Sequence, residues 1–138
     1  MLAATSISTA IPDSTAYGHI ATSVEASEGT TTEILDTESI VRSYFRDIPV
    51  MVQVARCESS FRHTLADGSI LKGKVDSADT GVMQINRRFH EKRATAMNLD
   101  LNDIYHNMAY ARYLYETQGT RPWNASAPCW NSTLAMNI

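Results

Sequence analysis

The feature that most constrains the fold is an uneven distribution of charge and apolar residues along the chain. The first 38 of the 138 residues contain thirteen Ser or Thr, six acidic residues, no Lys or Arg, and one aromatic residue, Tyr17. Such a stretch buries too little apolar surface to offset the entropy lost on ordering. We therefore predict an acidic, disordered tail or linker over residues 1–38 and one folded domain over residues 39–138.

The charge and the apolar content exclude several classes of protein. Residues 39–138 hold all twelve basic residues and nine of the fifteen acidic ones, which gives this part a net charge of +3 and the whole chain −3. A mildly acidic chain does not favour nucleic-acid binding through phosphate neutralisation. No run approaches the roughly 18 apolar residues of a membrane span. The start Met1-Leu2-Ala3-Ala4 lacks the basic residues of a signal peptide, so none is evident. A monomer is expected.

Local signals predict a mainly helical domain. Capping residues, prolines in first turns and apolar residues at helical spacing define four helices. These are expected from Asp36 or Thr37 to Phe45, from Pro49 to Cys57 with Val50, Val54 and Cys57 on one apolar stripe, over 87–97, and from a cap at Asp100 to Gly119. Glycines and aspartates without a helical period predict turns and a small hairpin over 62–82. The stretch Trp123–Trp130 reads as a turn.

The two cysteines, Cys57 and Cys129, leave two states open on the residues alone. They form a bridge across 72 positions, or they are free thiols. Neither cysteine has the spacing of a metal ligand, because the chain contains no C-x-x-C and no Cys/His cluster. His90-Glu91 is not followed by a second His at the zinc-protease position. We predict no metal site.

Glu58 is the first candidate for chemistry, because it lies beside the apolar stripe of the second helix. Burial of a carboxyl group disfavours its charged form and raises its pKa, which makes it a useful acid near neutral pH. The alternative is a solvated surface carboxylate that pairs with Arg56 or Arg62. On the residues alone the solvated carboxylate is favoured, because most glutamates at such positions face water.

A second candidate group is amide and aromatic. Gln84 and Asn86 fall on the same side of a segment, 79–86, that alternates like an extended strand. Such amides suit the N-acetyl and hydroxyl groups of a sugar. They also suit an ordinary polar strand face. Likewise Trp123 and Trp130, next to prolines, form either a sugar platform or loop packing.

Three motifs in order produce a resemblance to a known family. They are Ala55-Arg56-Cys57-Glu58-Ser59-Ser60-Phe61, Gly81-Val82-Met83-Gln84-Ile85-Asn86, and Asn107-Met108-Ala109-Tyr110-Ala111-Arg112-Tyr113-Leu114. Together they resemble the lysozyme-like lytic transglycosylase family (the SLT domain) over about residues 40–130. The ending, with Trp123, Ser126, Cys129 and Trp130, resembles compact secreted members in which the two cysteines are joined. The resemblance implies a lysozyme-like α+β domain with a short β-hairpin insert after the catalytic helix. It also implies a Cys57–Cys129 disulfide and an extracytoplasmic location.

The resemblance also implies a chemistry. Glu58 would protonate the bond between N-acetylmuramic acid and N-acetylglucosamine in peptidoglycan and would then act as a base, leaving 1,6-anhydromuramyl ends. No cofactor is needed, and the partner is the peptidoglycan glycan strand. By the same resemblance, Gln84 and Asn86 line the cleft, Ser77 and Thr80 offer hydroxyl contacts, and Asn107 supports the site from the fourth helix. With Trp123, these make up the expected substrate-binding set.

One departure from the family pattern leaves alternatives open. Many members carry a Tyr-Asn pair late in the domain, whereas this chain reads Trp123-Asn124-Ala125-Ser126. Tyr110 or Tyr113 is the expected substitute, without a choice between them. An aspartate from the insert 67–79, placed about 5–9 Å from Glu58, would instead permit lysozyme-type hydrolysis. A non-catalytic glycan-binding module is the third reading.

Overall fold

The computed structural model describes residues 35–136, with side chains to residue 132, so that residues 1–34 of the predicted tail lie outside the described residues. This part is mainly helical, as predicted, with a small two-stranded antiparallel sheet. The elements are α1 (Thr37–Tyr44), α2 (Pro49–Ser59), β1 (Asp79–Thr80), β2 (Ile85–Asn86), α3 (Arg87–Ala96), α4 (Ile104–Gln118), a 3₁₀-helix (Arg121–Ser126) and α5 (Ala127–Met136).

The first two helices begin where the local signals place them. The Asp36 carboxylate accepts a hydrogen bond from the Ser39 N–H at 2.8 Å and caps α1. The helix therefore begins at Thr37, as the predicted cap at Asp36 requires. Pro49 opens α2, where its missing N–H leaves no helical bond unmade.

The buried face of α2 differs from the predicted stripe. Met51, Val54 and Ala55 are fully buried, whereas Val50 and Cys57 are only half-buried. The helix ends at Ser60, which has a left-handed backbone with φ of 52°, and Phe61 follows with φ of 57°. Two successive left-handed residues turn the chain away sharply just after Glu58.

The predicted hairpin insert is present, but it lies further along the chain than expected. β1 and β2 pair with Asp79 opposite Asn86 and Thr80 opposite Ile85. Between them, residues 81–84 form a turn in which Gly81 and Gln84 have φ of 75° and 50°. The expected extended segment over 79–86 is therefore wrong in its middle. Within 62–82, single bridges join Thr64 to Ile70 and Lys72 to Thr80.

The third and fourth helices follow the hairpin. Asn86 caps α3 by accepting from the Arg88 N–H at 3.0 Å, close to the predicted start. Helix α4 is capped by Asp103, which accepts from the His106 N–H at 2.9 Å, and not by Asp100 as predicted. Asp100 instead accepts from the Asn102 N–H within the preceding turn. Gly119 ends α4, as predicted, with φ of 63° and ψ of −140°.

The predicted turn over Trp123–Trp130 is wrong, because this stretch is helical. Pro122 and Pro128 are the second residues of the 3₁₀-helix and of α5. A proline in a first turn costs no internal hydrogen bond, so these two prolines begin helices here. Trp123 and Trp130 are both buried, with exposed fractions of 3% and 6%.

The core lies between α1, α2, α4 and the two tryptophans, with the turn after β1 closing one side. Its largest fully buried side chains include Phe45, Met51, Met83, Met108 and Tyr110. Cys57 of α2 and Cys129 of α5 form a disulfide, with their Cα atoms 6.0 Å apart. This confirms the predicted pairing and joins two helices that also pack against each other. No helix within residues 35–136 combines the length and the apolar character that crossing a bilayer requires.

Candidate active site

Glu58 lies in the last turn of α2 and is half-buried. Its Oε1 is 2.5 Å from the Oγ of Ser126, which in turn lies 3.1 Å from the carbonyl oxygen of Trp123. A hydroxyl has one proton and can also accept. When Glu58 is charged, Ser126 donates to it. When Glu58 is protonated, its carboxyl group can donate a hydrogen bond to Ser126 Oγ, while the Ser126 hydroxyl donates to the carbonyl oxygen of Trp123. The contact therefore serves both protonation states.

The surroundings of Glu58 favour its neutral form. Burial raises the pKa of this carboxyl above its ordinary value of 4.5, the hydroxyl of Ser126 acts in the opposite direction, and the negative charge of Asp79 raises the pKa further. The net direction is upward. A carboxyl group that holds its proton at higher pH is a better general acid near neutrality.

Glu58 opens into a cavity of about 350 Å³, whose lining includes Asp79 and Gln84. A second cavity of about 310 Å³ is also lined by Asp79 and Gln84, and it continues past Asn86, Phe89 and Trp123. The two cavities share a pair of lining residues and are therefore adjacent, and we call the two together the groove. Adjacent concave sites of this kind can hold neighbouring units of an extended ligand.

Of the aspartates in the insert, Asp79 is the one that lines the Glu58 cavity. Its Oδ1 accepts from Asn86 Nδ2 at 2.9 Å. Asp67 instead accepts from the N–H and hydroxyl of Ser69, which lowers the pKa of Asp67. Asp76 accepts from the Ala78 N–H, from Asn86 and from Arg88. The structure therefore selects Asp79 as the candidate second carboxylate.

The turn that carries Gln84 is held from behind by Asn107, which is fully buried. Its Oδ1 accepts from the Met83 N–H at 3.1 Å, and its Nδ2 donates to the carbonyl oxygens of Thr80 and Leu101, both at 3.0 Å. All of these bonds involve buried main-chain groups, which are costly to leave unpaired. Asn107 therefore fixes the path of the turn.

His63 supports the same turn from the other side. Its Nδ1 accepts from the Val82 N–H at 3.0 Å, so its Nε2 carries the proton and donates to the Asn102 carbonyl at 2.7 Å. Burial lowers the pKa of His63 and keeps the ring neutral. A Cβ on Gly81 would lie 2.6 Å from Asn107 Nδ2 and 2.7 Å from the His63 ring. This turn therefore requires glycine for both its space and its positive φ.

Three of the predicted binding residues lie along the groove. Gln84 lines both cavities, and its Nε2 donates to the Gly81 carbonyl at 2.9 Å. Asn86 lines the second cavity, with its Nδ2 held by Asp76 and Asp79. Trp123 lines it as well, but its ring is buried and its Nε1 donates to the Met83 carbonyl at 3.0 Å. Packing is therefore its main role here, as it is for Trp130.

The other predicted contacts do not line the groove. Thr80 is fully buried, and its Oγ1 donates to Ala78 O and accepts from Arg87 Nε. Asn107 is equally buried. The structure places both behind the groove, and neither side chain is open to direct contact with a ligand. Asn107 has the supporting role that was predicted for it, whereas the hydroxyl contact predicted for Thr80 is not available. Ser77 is exposed and lines neither of the two cavities.

Sequence reasoning gave no role to Ser126 or His63. The hydroxyl of Ser126 makes the contact to Glu58, and Tyr110 and Tyr113, the substitutes expected from the sequence, do not. The hydroxyl of Tyr110 lies 3.0 Å from His90 Nδ1, and the ring of Tyr110 packs against that of Tyr113. Neither tyrosine lines the Glu58 cavity.

Among the residues that the structure describes, no three His, Cys, Asp or Glu side chains cluster as a metal site would require. The side chains that line the Glu58 cavity include a carboxyl with a raised pKa, a second carboxylate and an amide. Comparison of the chain with protein-family models, with curated proteins and with solved structures found no match. The site geometry and the sequence motifs are therefore the basis for inferring a function.

Proposed function

We propose that this protein cleaves the β-1,4 glycosidic bond between N-acetylmuramic acid and N-acetylglucosamine in peptidoglycan, on a lysozyme-like fold. The observation that carries the proposal is Glu58, a half-buried carboxyl whose pKa is raised by burial and which opens into a groove. The identity of the substrate is inferred from the three motifs that resemble the lytic transglycosylase family. The Cys57–Cys129 disulfide supports an extracytoplasmic location, because such bonds persist in oxidising compartments.

The same carboxyl can serve two steps. Protonated Glu58 gives its proton to the glycosidic oxygen, and the bond from that oxygen to C1 of the muramyl sugar breaks. Ser126 then donates its hydrogen bond to the resulting carboxylate. That carboxylate takes the proton of the muramyl C6 hydroxyl while the C6 oxygen bonds to C1. This step gives a 1,6-anhydro end and restores the protonated acid. No water is consumed.

Hydrolysis is the second candidate, and Asp79 is the observation that favours it. Asp79 lines the same cavity as Glu58, and its negative charge raises the pKa of Glu58. In glycosidases, a second carboxylate either activates water or attacks C1, and both routes end in a reducing sugar. The choice between the two outcomes depends on whether Asp79 reaches C1 or the water beside it.

The role of Glu58 is tested by Glu58→Gln, which keeps the size of the side chain and an oxygen that can accept from Ser126. We expect this variant to lose clearance of a suspension of purified cell walls, by at least ~100-fold for loss of the general acid. Binding to the walls should persist. Gln53→Glu, on the same helix, is a control that leaves Glu58 unchanged. Clearance by Glu58→Gln at the wild-type rate would refute the assignment of Glu58 as the acid. Binding to the walls without clearance by the wild-type protein would instead indicate a binding module.

The products separate the two reactions. Mass spectrometry of the digest should show muropeptides lighter by one water than hydrolysed ones, and Asp79→Asn should retain them. Reducing ends that disappear in Asp79→Asn would establish hydrolysis with Asp79 as the second carboxylate. Asp67→Asn is the matched control, because Asp67 belongs to the same insert and does not line the cavity.

A further inference from the structure

Three basic side chains line the cavity that contains Glu58. Arg62, Lys72 and Lys74 form this set, which we call the cationic rim, and all three are exposed. Four other arginines make ion pairs with acidic side chains, namely Arg42, Arg87, Arg88 and Arg112. Within the described part of the chain, no member of the cationic rim makes such a pair. The rim therefore presents positive charge that the fold itself does not neutralise.

The rim is held in place by the main chain. Lys72 pairs with Thr80 of β1, and the Gly73 N–H donates to the Asp79 carbonyl at 2.9 Å. A Cβ on Gly73 would lie 2.3 Å from the Asp76 carbonyl oxygen, so only glycine allows this close approach. Both lysines flank this fixed glycine. On the opposite side, Arg62 Nε donates to the Ser59 carbonyl at 3.1 Å at the end of α2.

The cationic rim is in contact with solvent, because all three of its side chains are exposed. The groups that shift the pKa of Glu58 are its burial, Ser126 and Asp79, and no member of the rim is among them. Charges at such a position attract an anionic group on a ligand without suppressing the protonated form of the acid.

The two cavities differ in charge. The second cavity has no Lys or Arg among its described lining residues, and its acidic lining side chain is Asp79, which it shares with the Glu58 cavity. Its other lining residues include Gln84, Phe89, Gln118 and Trp123, which are uncharged. Phe89 is 78% exposed at this cavity, where a flat ring can pack against a sugar face. A glycan strand is uncharged along much of its sugar backbone, and the peptide stems attached to it carry free carboxylates.

We propose that the cationic rim binds the carboxylates of peptide stems, so that the protein selects peptide-bearing glycan strands over bare strands. The inference rests on the proposed function for the identity of the strand. It adds a substrate class, namely strands whose muramyl sugars next to the cleaved bond carry an acidic peptide. The second cavity, where the ring of Phe89 is exposed, takes the sugar chain itself.

Binding of isolated, immobilised glycan strands tests the proposal, with stems intact or removed by an amidase, which takes away the several carboxylates of each stem and leaves a single lactyl carboxylate on each muramyl sugar. Glu58→Gln serves as the background in which strands are not cut. Removal of the stems should weaken binding about fivefold, since two exposed charge pairs contribute together about a factor of that size. Lys72→Gln/Lys74→Gln should abolish this preference, and raising the salt to about 0.5 M should reduce it in the parent. Lys92→Gln/Arg93→Gln, which removes the same charge from the exposed side of α3, should leave the preference intact.

The outcomes separate this proposal from the proposed function. Equal binding of both strands, or an equal loss on both in Lys72→Gln/Lys74→Gln, would overturn the stem-binding role. A wild-type protein that cuts neither strand while the binding preference persists would overturn the proposed cleavage alone. Failure of the parent to bind either strand would overturn both. Circular dichroism of each variant checks that the fold is retained.

Discussion

The two sides of the Glu58 cavity are held by different forces. One side, the helix wall, is the end of α2 with Cys57 and Glu58, and it is held by the disulfide to Cys129 of α5 and by the contact to Ser126 of the 3₁₀-helix. The other side, the turn wall, is the segment 79–84, and it is fixed by hydrogen bonds from buried His63 and Asn107. The first wall depends on a covalent bond and apolar packing, and the second on a polar network.

This difference separates the functions of the two walls. The helix wall carries Glu58 and keeps the hydroxyl of Ser126 within hydrogen-bond distance of it. The disulfide of this wall has no titratable group, so its contribution to stability does not depend on pH. The turn wall carries Asp79 and Gln84, which line the groove. Its path depends on buried hydrogen bonds to His63 and Asn107, so a substitution of either residue should be costly. We therefore expect the two walls to fail under different conditions, and the following experiments exploit that expectation.

Removal of the disulfide should give the largest loss of stability. Cys57→Ala/Cys129→Ala releases a constraint across 72 residues, which the chain-entropy treatment values at about 4 kcal/mol. Urea unfolding measures it. The loss should be the same at pH 7 and pH 5.5, because the bond has no protonation equilibrium. A loss below about 1 kcal/mol would show that helix packing alone holds the helix wall together.

Asn107→Ala should cost about 3 kcal/mol, because three buried main-chain groups lose their partners. The damage should concentrate in the turn wall, so that amide hydrogen exchange speeds up at residues 80–84 before it does in α2. Asn124→Ala, at an exposed position, is the control and should change stability by less than about 0.5 kcal/mol. Uniform exchange over both walls would contradict their independence.

Acid should weaken the turn wall through His63, with a smaller effect than either substitution. Burial lowers the pKa of His63 below its ordinary value of 6.5. Above pH 6.5 the ring is neutral in the folded and the unfolded chain, so its contribution is complete. Below that pH the unfolded chain takes up a proton first, and stability falls until the pH reaches the lowered pKa.

The pH effect is measured as the difference between the wild-type protein and His63→Gln, in which an amide can keep both hydrogen bonds without titrating. Urea midpoints at pH 7 and pH 5.5 should drop more in the wild type. Equal drops in the two proteins would mean that His63 does not set the pH response. Other acidic groups affect both proteins alike and cancel in the comparison.

The parts of the fold that sequence predicted are those with local causes. Asp36 caps α1, Pro49 opens α2, and Asn86 precedes α3, and each signal lies within three residues of its effect. Where two local signals competed, the prediction was wrong: Asp103 caps α4 in place of Asp100, since Leu101 is buried before the helix begins. The prolines at 122 and 128 indicate a turn or a helix start equally well.

The site could be predicted only in part, because its contacts join distant residues. Glu58 and the Cys57–Cys129 pair came from motifs and a family resemblance. Ser126 lies 68 positions from Glu58, and His63 reaches Val82 across 19 positions. No local pattern encodes such contacts, since they arise when α5 packs on α2 and the turn closes over the core. Thr80 and Asn107 were predicted at the site but support it from behind for the same reason.

The central claim is that Glu58 holds its proton to a higher pH than an ordinary glutamate. NMR titration of the protein with carbon-13 at glutamate Cδ tests it directly, with Glu58→Gln used to assign the signal. The wild-type midpoint should lie above 4.5, and it should rise further in Ser126→Ala because that variant removes the donor that favours the charged form. A midpoint at or below 4.5 that Ser126→Ala leaves unchanged would contradict the account.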